Sequence, residues 1–187
     1  MKCIDCESEI EFTKEIEGKE MYLCENGHTN SRMVDHESVK TVDHEGEVIH
    51  ESVGAIIRAE GDILLLKRRK FPYKYSIPAG HMEDGEEAYL SLLREIEEET
   101  GIKISGEKRR LAYEGILEDK CRRGADKHKW HLYFIELEEK PEVDGNDEAD
   151  HLTWINNPLD NQLTDITEKF LNPKMVELSV NLAKKLQ

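Results

Sequence analysis

The feature that most constrains this chain is the segment Gly80–Ile102. There Glu83, Asp84, Glu86, Glu87, Glu95, Glu97, Glu98 and Glu99 share 23 residues with a single base, Arg94. Ala88, Leu92 and Ile96 recur at helical spacing and form an apolar stripe. Glu95, Glu98 and Glu99 fall at i, i+3 and i+4 and therefore share an adjacent face. The pattern predicts a helix from about Glu86 to Thr100, stopped by Gly101. Like charges at these spacings cost an isolated helix roughly 0.2–0.5 kcal/mol per pair. A purely structural surface helix would more often intersperse lysines. Clustered hard oxygen donors suit Mg²⁺ or Mn²⁺, which take a few protein carboxylates and keep water or phosphate elsewhere. Arg94, one turn before Glu98, can hold a carboxylate in a fixed rotamer. The competing reading is a solvated acidic face, which most glutamate runs are.

The charge balance sharpens this choice. The 187 residues carry 26 Lys plus Arg against 41 Asp plus Glu, a formal charge of −15. Residues 80–102 and 136–150 each contribute −7, so the remainder is nearly neutral. Concentrated like charge on a folded domain calls for cations. The same acidity disfavours nucleic acid as a partner. No apolar run approaches the ~20 residues that cross a bilayer, and Met1-Lys2-Cys3-Ile4-Asp5 lacks the apolar stretch of a secretory signal. With only four cysteines, a reduced, cytoplasmic setting without membrane partners is expected.

The length allows one domain of about 150 residues with an appendage. Residues 1–31 read as that appendage: Cys3-x-x-Cys6, a hairpin around Glu17-Gly18-Lys19, then Cys24 and His28. Three thiols and one imidazole have the ligand content of a closed, structural Zn²⁺ ribbon. A redox dithiol competes but lacks a surrounding βαβ pattern, and unrelated thiols are the third reading. Residues 32–51 read as a polar connector with a short hairpin at Asp43–Glu47. The main domain, 52–187, offers strands at Val53–Ala59, Ile63–Lys67, Arg110–Leu117, Trp130–Leu137 and Leu152–Ile155. Helices are expected at Leu163–Leu171 and Met175–Leu186. Cys121, flanked by basic residues, reads as an ordinary thiol.

The 80–102 segment resembles the Nudix box residue by residue. Gly80, Glu86, Arg94, Glu95, Ile96, Glu98, Glu99, Gly101 and Ile102 fill its nine fixed positions, and Ile77-Pro78-Ala79 resembles the family's entry loop. The resemblance implies an α/β fold, an α/β/α sandwich around a mixed sheet, and a hydrolase of nucleoside diphosphates linked to another group. It implies that Glu95, Glu98 and Glu99 bind Mg²⁺ or Mn²⁺ together with the Gly80 carbonyl. Arg94 would orient them, and Glu86 would brace the loop–helix–loop through Arg94. The base that accepts a proton from water is, in this family, a box glutamate or one from a distant loop. Glu148 is the choice here over Glu142, because Glu148–Trp154 resembles the family's acidic residue ahead of a short Trp-containing strand.

A zinc ribbon ahead of such a domain resembles the layout of the NADH pyrophosphatase branch. That branch's Ser-Gln-Pro-Trp-Pro-Phe-Pro signature is replaced by Arg109-Arg110-Leu111-Ala112-Tyr113, and the downstream proline of the ADP-ribose branch is replaced near Leu117-Glu118. The resemblance thus implies a nucleotide, dinucleotide or nucleotide-sugar substrate without finer assignment. Two basic groups, Lys67–Lys70 and Arg122, Arg123, Lys127 and Lys129, can meet phosphates, with Arg68 the expected substrate contact; solvated surface is the alternative. Phe71, Tyr73, Tyr75 and Trp154 can stack on a base or sit in the core. The ribbon is itself acidic, which fits a stabilising or subunit-contact role and allows a homodimer. The alternative to an enzyme is a Nudix-fold nucleotide-binding or regulatory module with a zinc-ribbon interaction domain.

Overall fold

The structure is a computed structural model and describes residues 1–17, 19–34, 38–69, 72–145 and 149–172. The helix expected at Met175–Leu186 and the candidate base Glu148 lie outside the described residues. The first part of the chain forms β1 (Lys2–Cys3), β2 (Ile10–Ile16), β3 (Lys19–Cys24), β4 (Thr29–Asn30) and β5 (Met33–Val34). β2, β3 and β4 make an antiparallel three-stranded sheet, and β1 pairs with β5. The hairpin expected between Ile10 and Leu23 is therefore present.

The main sheet contains β6 (Lys40–Val42), β7 (Val48–Ala59), β8 (Asp62–Arg68), β9 (Tyr75–Ser76) and β10 (Ala79–His81). After helix α1 (Ala88–Thr100) come β11 (Lys108–Glu118), β12 (Lys127–Leu137) and β13 (Ala149–Ile155), then helix α2 (Asp165–Leu171). The strand order is β11-β12-β7-β8-β13, with β6 and β10 also paired to β7 and β9 to β8. β12 runs parallel to β7 and the other pairs are antiparallel, so the sheet is mixed as expected. β7 begins at Val48 rather than Val53 because β6 pairs Lys40–Val42 against Val48–His50 across the Asp43–Glu47 turn. It thus runs into the stretch read as connector.

Successive strand residues point to opposite faces, and each face has its own core. Val53, Ala55, Ile57 and Ala59 of β7 pack with Ile135 and Leu137 against Leu92 and Ile96 of α1. Leu92 and Ile96 are fully buried, worth roughly 1.5–3 kcal/mol each. On the other face Ile56, Leu65, Ala112, Trp130 and Leu132 pack against Leu163, Phe170 and Leu171. Helices on both faces give the expected α/β/α layering. Gly101 ends α1 in the left-handed region, φ 71°, and its N–H returns to the Glu97 carbonyl at 2.9 Å.

The N-terminal unit is joined to the β11–β12 loop by Arg32. Its guanidinium donates to the carbonyls of Cys121 (3.2 Å), Gly124 (2.8 Å) and Ala125 (2.8 Å) and to Asp126 Oδ1 (3.1 Å). Alongside, Met33 N donates to Arg122 O at 2.8 Å and Arg122 pairs with Glu20 at 2.8 Å. Among the described residues no helix is long and apolar enough to cross a membrane.

Candidate functional site

The site begins at β10. Gly80 stands opposite Val53 in the β10–β7 ladder. A Cβ built on it would lie 2.0 Å from the Glu95 carboxyl carbon, so only glycine lets β10 lie this close to α1. Arg94 organises the carboxylates around this contact. Its Nε and Nη2 grip the two Glu86 oxygens at 2.9 Å each, a bidentate pair. Nη1 donates to Glu95 at 2.7 Å and to Glu98 at 3.3 Å, and Nη2 also reaches the His81 carbonyl at 3.2 Å. Glu86 in turn accepts the Glu83 amide at 2.9 Å. Glu99 accepts the Ala79 amide at 2.8 Å, which pins the entry loop to the helix.

The electrostatics follow from these contacts. The Arg94 hydrogen bonds bring the Glu86 carboxyl down to about 2, against the effect of burial. Burial instead raises the Glu95 carboxyl, although Arg94 pulls the other way. One guanidinium therefore serves three glutamates, one of them largely withdrawn from water. Such a set favours an added cation. The structure brings together Gly80, Glu86, Arg94, Glu95 and Glu98, with Glu99 one turn on and facing the entry loop.

Other expected residues fall elsewhere. Arg68 closes β8, next to Ala149 in the β8–β13 pairing, and its charge acts on Asp119. Much of the second basic group is engaged by carboxylates: Lys127 with Asp43 (3.0 Å) and Glu47, Lys129 with Glu51 (3.2 Å), and Arg122 with Glu20. Arg123 acts electrostatically on Glu95. Trp154 packs on the α1 core, while Tyr75 packs on the α2 core and under Lys67 at 4.7 Å.

Cys3, Cys6, Cys24 and His28 converge with one ligand atom each, all within 4.8 Å of one another, an arrangement that can hold zinc. His28 Nδ1 lies 3.3 Å from Cys6 Sγ, 3.7 Å from Cys24 Sγ and 3.9 Å from Cys3 Sγ, and Cys6 to Cys24 is 3.8 Å. Tetrahedral Zn²⁺ with the usual bond lengths has edges of roughly 3.4–3.8 Å. Hydrogen bonds from Ser8 bring the Cys6 thiol down to about 5, poised to ligate.

Two groupings escaped sequence reasoning. Glu51 accepts from His131 (3.0 Å) and Lys129 (3.2 Å); burial would raise its carboxyl, but these partners hold it below the ordinary range. His50, His81, Cys121 and His128 also gather, with ligand atoms within 4.8 Å of one another. The available signal was alternation, since His50 precedes the core run of β7 and His128 that of β12. The strand register that joins them is not written in either segment.

A family model for the NUDIX domain matches residues 48–167, well over half of the chain. This chain belongs to the NUDIX family. Its NUDIX domain starts where β7 starts. A stretch of 53 residues is 42% identical to the ADP-ribose pyrophosphatase of Methanocaldococcus jannaschii. That match spans 27% of this chain and 31% of that relative's length. Among solved structures, the E. coli dihydroneopterin triphosphate pyrophosphohydrolase is 17% identical with a TM-score of 0.57, over 70% of this chain and 95% of that one. A NUDIX hydrolase from Nitrosomonas europaea is 20% identical with a TM-score of 0.51, over 95% of this chain and 92% of that one. At these identities the likeness establishes the NUDIX fold, with a mixed sheet between helices.

Proposed function

We propose that this NUDIX protein hydrolyses the diphosphate bond of a nucleoside diphosphate linked to a second group, using Mg²⁺ or Mn²⁺. The observation that carries the reading is the Arg94 hub, which holds Glu86, Glu95 and Glu98 against the glycine-only approach at Gly80. Glu95, Glu98 and Glu99 are the proposed cation ligands with the Gly80 carbonyl. Their hard oxygens fit such an ion, and the burial of Glu95 beside Glu98 leaves a charge that it would offset. Bound there, the ion would neutralise phosphate oxygens and ease the loss of a proton from the water that attacks phosphorus. Glu95 and Glu98 would give up Arg94 Nη1 to hold the ion, and Arg94 would stay anchored on Glu86 by its bidentate grip. Glu86 and Arg94 are thus positioning residues. Glu148 is proposed to accept the proton of the attacking water, and Arg68 to meet a substrate phosphate. Cys3, Cys6, Cys24 and His28 are proposed to hold a structural zinc.

The test is a panel with Mg²⁺ or Mn²⁺, read by product chromatography. It starts with ADP-ribose, given the M. jannaschii relative, and continues with nucleoside triphosphates, dinucleotides and nucleoside-diphosphate sugars. Cation-dependent release of a mononucleotide from a diphosphate-linked substrate is expected. No turnover across the panel sinks the hydrolase reading in favour of a nucleotide-binding module. Glu95→Gln and Glu98→Gln should each lower kcat by orders of magnitude, and near-normal turnover in both would remove the cation assignment.

A further inference from the structure

The side chains of His50, His81, Cys121 and His128 have no part in the chemistry proposed above. They arrive from β7, β10, the β11–β12 loop and β12, and meet because of register. The parallel ladder sets His128 beside His50, and the antiparallel ladder sets His81 beside Ser52 on the same strand. Their rings lie 5.2–6.1 Å apart between centroids. His50 and His128 are only 1% and 3% exposed. Nε2 of His81 lies 3.2 Å from Nε2 of His128, close to the roughly 3.3 Å edge between two nitrogens on tetrahedral zinc. The other nitrogen of His128, Nδ1, has Asp119 Oδ2 at 3.6 Å. The contact is longer than a hydrogen bond, but it sets a carboxylate behind the imidazole, where one orients a ligating ring in many metal sites. The Cys121 loop is held in place by Arg32, which binds the carbonyls of Cys121, Gly124 and Ala125.

We propose that His50, His81, Cys121 and His128 form a second zinc site with three imidazoles and one thiolate. It lies on the opposite side of β10 from the glutamates: Gly80 faces Glu95, and the next residue, His81, faces His128. Nitrogen and sulfur donors select zinc over the hard cations suited to the carboxylates. With four protein ligands the site is closed, so its role is structural: it ties three strands to the loop on which the N-terminal unit rests. On coordination the Cys121 thiol gives up its proton to solvent.

The full chain, purified reduced, loaded with zinc and desalted, decides the matter by elemental analysis and zinc X-ray absorption. Both sites filled give two zinc ions per chain and an average of two sulfurs and two nitrogens around each. One zinc per chain with three sulfurs and one nitrogen means that the N-terminal site alone is filled, and overturns the proposal. A second zinc that adds no sulfur, lowering the average to one and a half, overturns it as well. Cys121→Ser should lose one zinc equivalent while keeping its circular dichroism and elution volume; retention of both equivalents overturns the proposal. Should that variant misfold, the wild-type absorption measurement still decides.

Discussion

The two Cys/His clusters of this chain have opposite origins. Cys3, Cys6, Cys24 and His28 are drawn from 26 consecutive residues and need only a hairpin to meet. His50, His81, Cys121 and His128 span three strands of the main sheet and a loop, and need the whole sheet to be in register. The first cluster has little apolar packing around it, with Phe12 and Ile16 of its hairpin left 49% and 41% exposed. The second is embedded beside Trp130, 5.8 Å from His128, and the α2 core. A small unit with so slight a core would depend on a bound metal for folding, whereas the sheet holds its cluster together by hydrophobic packing. A four-residue Cys/His set would thus be a cause of structure in one place and its consequence in the other.

The largest expected effect separates the two directly. Structural zinc supplies about 10–16 kcal/mol to isolated zinc-finger peptides. Cys6→Ser with a chelator should therefore remove hydrogen-exchange protection from residues 1–34 while β7 and β12 stay protected. Protection that persists in the N-terminal unit would show that it does not fold through its metal. Next in size, His128→Ala removes a buried ring from the sheet and should cost about 2–4 kcal/mol, by analogy with other buried large-to-small changes. Urea unfolding of the main domain measures it, and a midpoint equal to wild type would contradict the embedded placement.

A smaller effect tests the joint between the two regions. Arg32→Ala deletes four hydrogen bonds from a guanidinium and should cost about 1–3 kcal/mol. The loss should show first as faster exchange in residues 119–126; unchanged exchange there would mean that the units are not coupled through Arg32. The smallest effect is its pH dependence. Burial would raise the Asp126 carboxyl, yet the Val48 amide and Arg32 hold it below its ordinary value. A lowered folded value stabilises fully above about pH 4, the unfolded value, and the gain disappears as pH falls through the folded one. The stability gap between wild type and Asp126→Asn should narrow below pH 4. An equal gap at pH 3 and pH 7 would contradict the assignment.

What sequence could reveal follows the same division. The box helix was legible because its glutamates, stripe and stop follow one 3.6-residue periodicity along a single short segment, and the structure places it at Ala88–Thr100. The Cys-x-x-Cys pair and its hairpin were legible for the same local reason. Cys121 read as an ordinary thiol because two of its three imidazole neighbours, His50 and His81, lie 40 or more residues away and the third, His128, belongs to the strand that follows its loop. The stretch 32–51 read as a connector, yet Arg32 clamps the loop and His50 and Glu51 sit in β7, since polar composition hides a strand whose partners lie elsewhere. The basic residues Lys127 and Lys129 could not be told from phosphate contacts until pairing placed Asp43, Glu47 and Glu51 beside them.

The parallel pairing of β7 and β12 also sets an order in time. Partners in that ladder are 78 residues apart, a separation that makes such contacts late and slow to form. During synthesis the N-terminal unit could capture the proposed zinc once residue 28 has emerged, long before His128 exists. The growing chain would then carry a finished knob on an unfinished body. Arg32 has no loop to hold until the body closes, so the joint between the two regions is among the last contacts made.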